Sequence, residues 1–302
     1  KYKVTQFYTA PTAIRSLMTN DYSYVASHDL SSLRVLGSVG EPINEEAWHW
    51  FNDFIGKKRC PIVDTWWQTE TGSIMISPLA CITPTKPTYA TLPLPGIQTV
   101  LMDEKNNEIS GNQVMGSLCV KFPWPSIART IWGDHERFVK TYFSDFPGTY
   151  FTGDNALRDE VGYYRITGRA DDVVIVSGHN LGTAPIEDAI NQHPAVAESA
   201  VVGFPHDIKG NALYAFISLK LEGSTRDREN LKKEINQLIA DHYGPIGKLD
   251  KIQFVNDLPK TRSGKILRRV LRSIALNQLD NFGDTSTMIN PEVVEEILSN
   301  RL

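Results

Sequence analysis

Asp64-Thr65-Trp66-Trp67-Gln68-Thr69-Glu70-Thr71-Gly72 follows a short apolar run, Ile62-Val63, and ends in glycine. On its N-terminal side, strand and helix signals alternate. Residues 4–8 and 33–39 are short β-type runs, and Pro11 opens a helix where its missing N–H costs least. Residues 45–55 place Trp48, Phe51 and Ile55 at i, i+3 and i+7, a helix with one buried face. Such alternation predicts a parallel, helix-covered sheet over residues 1–93. On the C-terminal side, from 94 to 170, the pattern becomes short strands at 99–103, 116–122, 150–152 and 163–167. Turn signals at Asn106-Asn107, Ser110-Gly111 and Pro147-Gly148 separate them, so a small β-barrel or sandwich is expected.

A third block begins near Asp171. Strand 173–176 leads to helix 185–192, strands 199–203 and 213–221, and helix 229–243 with Leu231, Ile235, Leu238 and Ile239 on one face. Strand 251–255 and helix 266–277 complete a compact α+β unit, and a polar stretch, 279–286, precedes a short helix at 291–298 carrying Val293, Val294 and Ile297. The fold class is therefore α/β followed by α+β, with a boundary near residue 171 and domains at 1–170 and 171–302.

Length agrees with two domains, since 302 residues is about twice the usual domain size. A hydrophobic share of 41% is ordinary for a globular protein, and a net charge of −4 gives no argument for nucleic acid. Basic residues gather at 260–272, but no aromatics interleave there to stack bases. Cys60, Cys81 and Cys119 are too few and too scattered for a disulfide framework or zinc site, which points to a reducing cytoplasm. No apolar run reaches membrane-spanning length, and the start lacks a signal-peptide pattern. Lys1-Tyr2-Lys3 has no initiator Met and runs straight into an apolar strand, which reads as a cut inside a domain.

Three further segments carry chemistry. Thr261-Arg262-Ser263-Gly264-Lys265-Ile266-Leu267-Arg268-Arg269 puts a lysine after a flexible Ser-Gly step and ahead of a basic helix. Its ammonium is a compact point charge suited to phosphate or carboxylate. Alone, the segment reads more readily as a solvated basic helix start. Tyr150-Phe151-Thr152-Gly153-Asp154 is a strand-like pair of aromatics leading into a turn with a carboxylate. Gly168-Arg169-Ala170-Asp171-Asp172 sets an arginine and two aspartates before the apolar strand Val173-Val174-Ile175-Val176, which ends in Ser177-Gly178.

In this order the four segments resemble the AMP-forming acyl-CoA synthetases of the adenylate-forming superfamily, most closely those that act on acetate. The likeness runs from about residue 5 to about residue 276. It implies a remnant of a large N-terminal domain followed by a compact, mobile C-terminal domain. It also implies ATP, CoA and Mg²⁺ as cofactors, acetate as the acid, and two half-reactions through an acyl-adenylate. By resemblance Lys265 is the catalytic lysine and Asp171 the hinge. Gly40, Glu41 and Pro42 form the adenine-contacting turn. Asp64, Thr65, Trp66, Trp67, Gln68 and Thr69 lie along the nucleotide, and Glu70 takes the Mg²⁺. Asp154 would bond both ribose hydroxyls, Arg169 the ribose or α-phosphate, and Val39 with Trp67 would line the acyl pocket. An indole at 67 leaves room for two carbons, three at most. Ser177 and Gly178 approach CoA, and a second Mg²⁺ position involves His193 and the Val196 backbone.

Each assignment has a plainer counterpart. Pro42 and Glu41 suit a helix start, Trp66 and Trp67 a core, Asp154 a turn, Asp171-Asp172 a linker and His193 a helix end. Two positions depart from the family: Asn180 stands where an arginine usually contacts nucleotide phosphate, and Ala240 where an arginine often meets a CoA phosphate. No Ser/Thr/Gly-rich phosphate loop occurs in these residues, so the expected reading is the C-terminal half of a longer enzyme, inactive alone. Its partners are acetate, ATP, CoA, the N-terminal half, and a lysine acetyltransferase and deacetylase acting on Lys265. Alternatives are a ligase for propionate or another short acid, and a truncated nucleotide-binding module without catalysis.

Overall fold

Strands β1 (Gln6–Thr9), β2 (Val35–Ser38) and β3 (Ile62–Asp64) lie side by side in that order, all parallel. The structure is a computed structural model describing residues 2–18, 22–177, 179–223, 225–262, 264–279, 282–283 and 285–302, with the backbone alone for Asn180 and Glu222. The chain divides into two units, Lys1–Asp171 and Asp172–Leu302.

In the first unit, helix α1 (Pro11–Met18) starts on its proline and buries Ile14. A short helix, α2 (Ser23–Ala26), follows, then α3 (Glu45–Trp50), which continues as one π-helical turn, Phe51–Ile55. The expected buried face holds: Trp48, Phe51 and Ile55 pack with Leu36, Ile43 and Ile62. The π-turn, where the Gly56 N–H reaches the Phe51 carbonyl at 2.9 Å, adjusts the last turn so that both aromatic and aliphatic side chains face inward.

Four antiparallel strands follow: β4 (Thr99–Met102), β5 (Val114–Val120), β6 (Tyr150–Arg158) and β7 (Tyr164–Arg169), ordered as in sequence. The expected barrel or sandwich is instead an open sheet: among the described residues no ladder joins β4 to β7. Four strands are too few to close a barrel. Strand β6 is longer than its aromatic start suggested, and its alternating burial carries Gly153 and Asp154 inside the strand rather than in a turn. Helix α4 (His135–Phe143) had no sequence expectation. Asp134 caps it, its carboxylate accepting the Arg137 N–H at 3.0 Å.

The second unit is built on one five-stranded sheet. A hairpin of β8 (Val174–Val176) and β9 (His179–Leu181) lies beside β11 (Gly210–Leu219), which pairs antiparallel with β10 (Val196–His206) and parallel with β12 (Lys251–Val255). The alternation of β11 feeds two cores. Leu213, Ala215 and Ile217 pack with residues of α5 (Thr183–Asn191) and α6 (Arg228–Tyr243). Tyr214 and Phe216 pack with residues of α7 (Arg268–Ala275) and α8 (Glu292–Ser299). Leu231, Ile235 and Ile239 of α6 are buried as expected, while Leu238 is half-buried. Helix α7 begins two residues later than expected because Ile266 is held in a bridge with Lys260.

Candidate functional site

The C-terminal ends of β2 and β3 bring the first two motifs together, the end of a parallel sheet at which ligands are commonly bound. Gly40, at φ +96°, turns the chain out of β2. Glu41 does not cap its own following helix. Its carboxylate caps α1, accepting the Thr12 N–H at 2.7 Å and the Thr12 hydroxyl, and it pairs with Arg15 at 3.2 Å. Gly40 and Pro42, on either side of it, are exposed. Beyond β3, the Ser38 hydroxyl donates to Asp64 at 2.6 Å, and the Thr65 N–H donates to the Ser38 carbonyl at 3.0 Å. Burial pushes the Asp64 carboxyl up to about 6, against the hydrogen bonds from Ser38 and the Thr65 backbone. Val39 is half-buried, Trp66 buried and Trp67 41% exposed.

Asp154 is the junction of the first unit. Its Oδ2 accepts from the Trp66 indole at 3.0 Å and from Gln68 Nε2 at 3.1 Å; its Oδ1 accepts from Arg169 at 3.2 Å. Gln68 is fixed in turn: its Nε2 donates to the Thr152 carbonyl at 2.6 Å, and its Oε1 accepts the Tyr150 hydroxyl at 3.0 Å. Burial raises the Asp154 carboxyl, while Arg169 and Trp66 pull it down. The strand is irregular here, because Ser117 faces Asn155 and Cys119 faces Phe151, leaving Leu118 opposite residues 152–154. Gly153 adopts φ +70°, and a Cβ on it would come within 2.6 Å of Arg169 Nη2. The bulge therefore lets the guanidinium lie across position 153 to reach Asp154.

Glu70 accepts a hydrogen bond from the Tyr142 hydroxyl, and the Tyr142 ring stacks on Tyr150 at 5.2 Å. Burial and Glu70 push the Tyr142 hydroxyl up to about 12, and burial raises Tyr150 as well. Thr69 beside it is exposed. Among the described residues no three His, Cys, Asp or Glu side chains gather to hold a metal. A single carboxylate with a neighbouring hydroxyl fits Mg²⁺ that keeps most of its waters. His193 is less suited: it is buried, its Nε2 meets Glu234 at 3.0 Å, and its Nδ1 accepts the Ala195 N–H at 3.3 Å. The Val196 N–H closes onto the His193 carbonyl at 2.9 Å.

In the second unit, Lys265 is exposed on a tight loop. The Thr261 N–H donates to the Lys265 carbonyl at 2.9 Å, and the Gly264 N–H, at φ +84°, to the Thr261 carbonyl at 2.8 Å. Behind the loop, Arg268 grips Glu187 with two bonds, of 3.1 and 2.6 Å, and Glu187 also accepts the Val201 N–H at 2.8 Å. Arg272 bonds Asp172. Asp171, the last residue of the first unit, is exposed and lies 3.6 Å from Arg169. Ser177 is exposed at φ +50°; Gly178 and the Asn180 side chain lie outside the described residues. Ala240 is half-buried on α6.

The structure brings Trp66, Gln68, Asp154 and Arg169 of the sequence motifs into hydrogen-bond contact, together with Tyr150; the sequence analysis did not single out Tyr8, Ser38 or Tyr142, and gave no role to Glu187. Tyr142 carried one usable signal, the Asp134 cap followed by an aromatic-rich helix.

The AMP-binding enzyme family matches residues 1–132, and the AMP-binding enzyme C-terminal domain matches residues 185–265. The chain is 57% identical to the acetyl-coenzyme A synthetase of Pseudoalteromonas translucida and 56% identical to acetyl-coenzyme A synthetase 2 of Pseudomonas aeruginosa. The synthetase of Alkalilimnicola ehrlichii is 54% identical. Each alignment covers 100% of this chain and 46% of the relative, so the chain spans about half the length of these curated relatives. A crystal structure of the anthranilate CoA ligase AuaEII with anthranoyl-AMP is similar at TM-score 0.80 and 30% identity, over 93% of this chain and 52% of that one.

Proposed function

We propose that this chain, which belongs to the AMP-binding enzyme family, is the C-terminal portion of an AMP-forming acetate–CoA ligase. In the first half-reaction an acetate oxygen attacks the α-phosphorus of ATP, pyrophosphate leaves, and acetyl-AMP forms. In the second, the CoA sulfur attacks the acetyl carbon, AMP leaves, and the thiol proton is released. The observation that carries the reading is the Asp154 junction, where one carboxylate joins Trp66, Gln68 and Arg169. Three donors leave a carboxylate room for a further bond, and exchange of the half-exposed Arg169 frees a second, so Asp154 suits a ribose diol.

The roles follow from chemistry. The main chain of Gly40, Glu41 and Pro42 takes the base, while Asp64, Thr65, Trp66, Gln68 and Thr69 frame the nucleotide. Arg169 meets an anionic phosphate. Glu70, with Thr69, holds Mg²⁺, which when bound offsets triphosphate charge. Lys265 supplies the cation that brings two anions together, since like charges 4 Å apart repel by about 4 kcal/mol at an effective dielectric of ~20. The thiol needs that space in turn, so the linker at Asp171 serves as hinge. Ser177 and Gly178 take CoA. The exposed Lys265 is open to acetylation, which removes its charge. A cytoplasmic setting fits three cysteines without a disulfide. Acetate is favoured over propionate because the Trp67 indole ends the acyl pocket beside Val39.

Calorimetric titration of the chain with a non-hydrolysable alkyl ester of AMP tests the site. Saturable binding that disappears in a folded Asp154→Ala chain supports the reading. Equal binding by both chains removes Asp154 from the site.

A further inference from the structure

Trp67, which the proposed function makes the wall of the acyl pocket, is 41% exposed, and an exposed indole is not held in place by packing alone. Its Nε1–H donates to the Tyr8 hydroxyl at 3.3 Å. That hydroxyl also lies 2.6 Å from Thr65 Oγ1, and Thr65 Oγ1 donates to the Ser38 carbonyl at 3.0 Å. Thr65 therefore spends its proton on Ser38, so Tyr8 donates to Thr65 and accepts from Trp67. The chain of bonds has one direction and ends on the backbone of β2.

The position of the Tyr8 ring has its own cause. Tyr8 on β1 is in register with Gly37 on β2, and Gly37 with Val63 on β3. Registered residues of parallel strands share a face, so a ring at 8 can reach position 65 only by crossing position 37. A Cβ on Gly37 would stand 2.5 Å from Tyr8 Cδ2. Glycine at 37 is the gap through which the ring passes. Two independent features, a missing side chain on β2 and a shared hydroxyl, converge on one orientation of Tyr8.

We infer that Tyr8 is a positioning residue for acid specificity: it holds the Trp67 indole across the end of the acyl pocket and so keeps acids longer than acetate out. The inference rests on the acetate–CoA ligase reading of the site. Without the hydroxyl the indole N–H turns to solvent, the side chain samples other rotamers, and the pocket lengthens part of the time.

The test uses Tyr8→Phe, which keeps the ring over Gly37 and removes only the hydroxyl, built into the complete ligase. The ratio of kcat/KM for propionate to that for acetate should rise roughly two- to tenfold, the range set by one neutral hydrogen bond. The change in the ratio should sit in the KM for the acids. Trp67→Gly is measured alongside. If Trp67→Gly shifts the ratio and Tyr8→Phe does not, the inference is overturned and the pocket stands. If neither shifts it, the pocket assignment fails and the inference falls with it. A second readout is independent of activity: in ¹⁵N-labelled chain the Trp67 indole resonance, assigned with Trp67→Phe, should move in Tyr8→Phe. An unmoved resonance overturns the inference as well.

Discussion

Asp64 is a carboxyl buried at the end of a strand with Ser38 as its side-chain donor, and its raised pKa, about 6, makes a testable statement about stability. In the unfolded chain it titrates near 3.8. Between these values the folded state holds the proton and the unfolded state does not, so stability falls as pH rises from about 4 to about 6. Above that window the buried charge costs about 3 kcal/mol. Asp64→Asn keeps an acceptor for Ser38 and removes the charge. It should melt at a higher temperature than the parent at pH 8 and at the same temperature at pH 4. Melting curves at the two pH values check this, and an equal difference at both would show that charge is not the cause. At this scale the sequence announced polar residues whose neighbours in the chain formed a motif. It was silent on Ser38, Tyr8 and Glu187, whose partners lie 26, 57 and 81 residues away, because single side-chain bonds across a sheet leave no periodic trace.

Among the elements, the legible ones were those with a strong apolar pattern, one-sided in α6 and continuous in β11. Helix α6 needed only its apolar spacing, and β11 only its unbroken apolar run. Strand β6 was read short because Gly153 and Asp154 are turn residues by type, and here the ladder to β5 overrides their local preference by bulging. Gly153→Ala should therefore do two things. It places a side chain at φ +70°, at a cost of about 1–2 kcal/mol. It also pushes the Arg169 guanidinium off Asp154, so affinity for an AMP ester should change with stability; a loss of stability with unchanged affinity would separate Arg169 from the site. Helix α4 carried a helical signal that the sequence expectation did not use, since Phe138 with Tyr142 and Val139 with Phe143 lie four residues apart behind the Asp134 cap. Its cap offers a direct check: Asp134→Ala removes the acceptor for the Arg137 N–H and should lower the melting temperature by about 2–4 °C. As α4 presents Tyr142 to Glu70, circular dichroism and Tyr142 reactivity should change together.

For the whole molecule, the order of four motifs carried more than any of them singly, and each unit then proved to have its own core. That the four-stranded sheet stays open was not legible, because strand spacing reports strands and not whether the first and last of them pair. The same division assigns chemistry to the two units separately. Asp154, Gln68 and Glu70, proposed to face the nucleotide, belong to the first, and the lysine loop, braced by Arg268 on Glu187, to the second. In the proposed ligase Lys265 acts in adenylation, where two anions meet, and has no task in thioester formation, where a neutral thiol or its anion attacks an activated carbonyl. Lys265→Gln, which removes the charge and also mimics acetylation, should lower acetate-dependent pyrophosphate–ATP exchange on the order of a hundredfold or more. Acetyl-CoA formation from supplied acetyl-AMP should stay near the parent rate. Equal loss in both assays would mean that the loop shapes the whole site rather than serving one step. Retention of both would remove Lys265 from catalysis. Only the split outcome fits a charge that one half-reaction needs and the other does not.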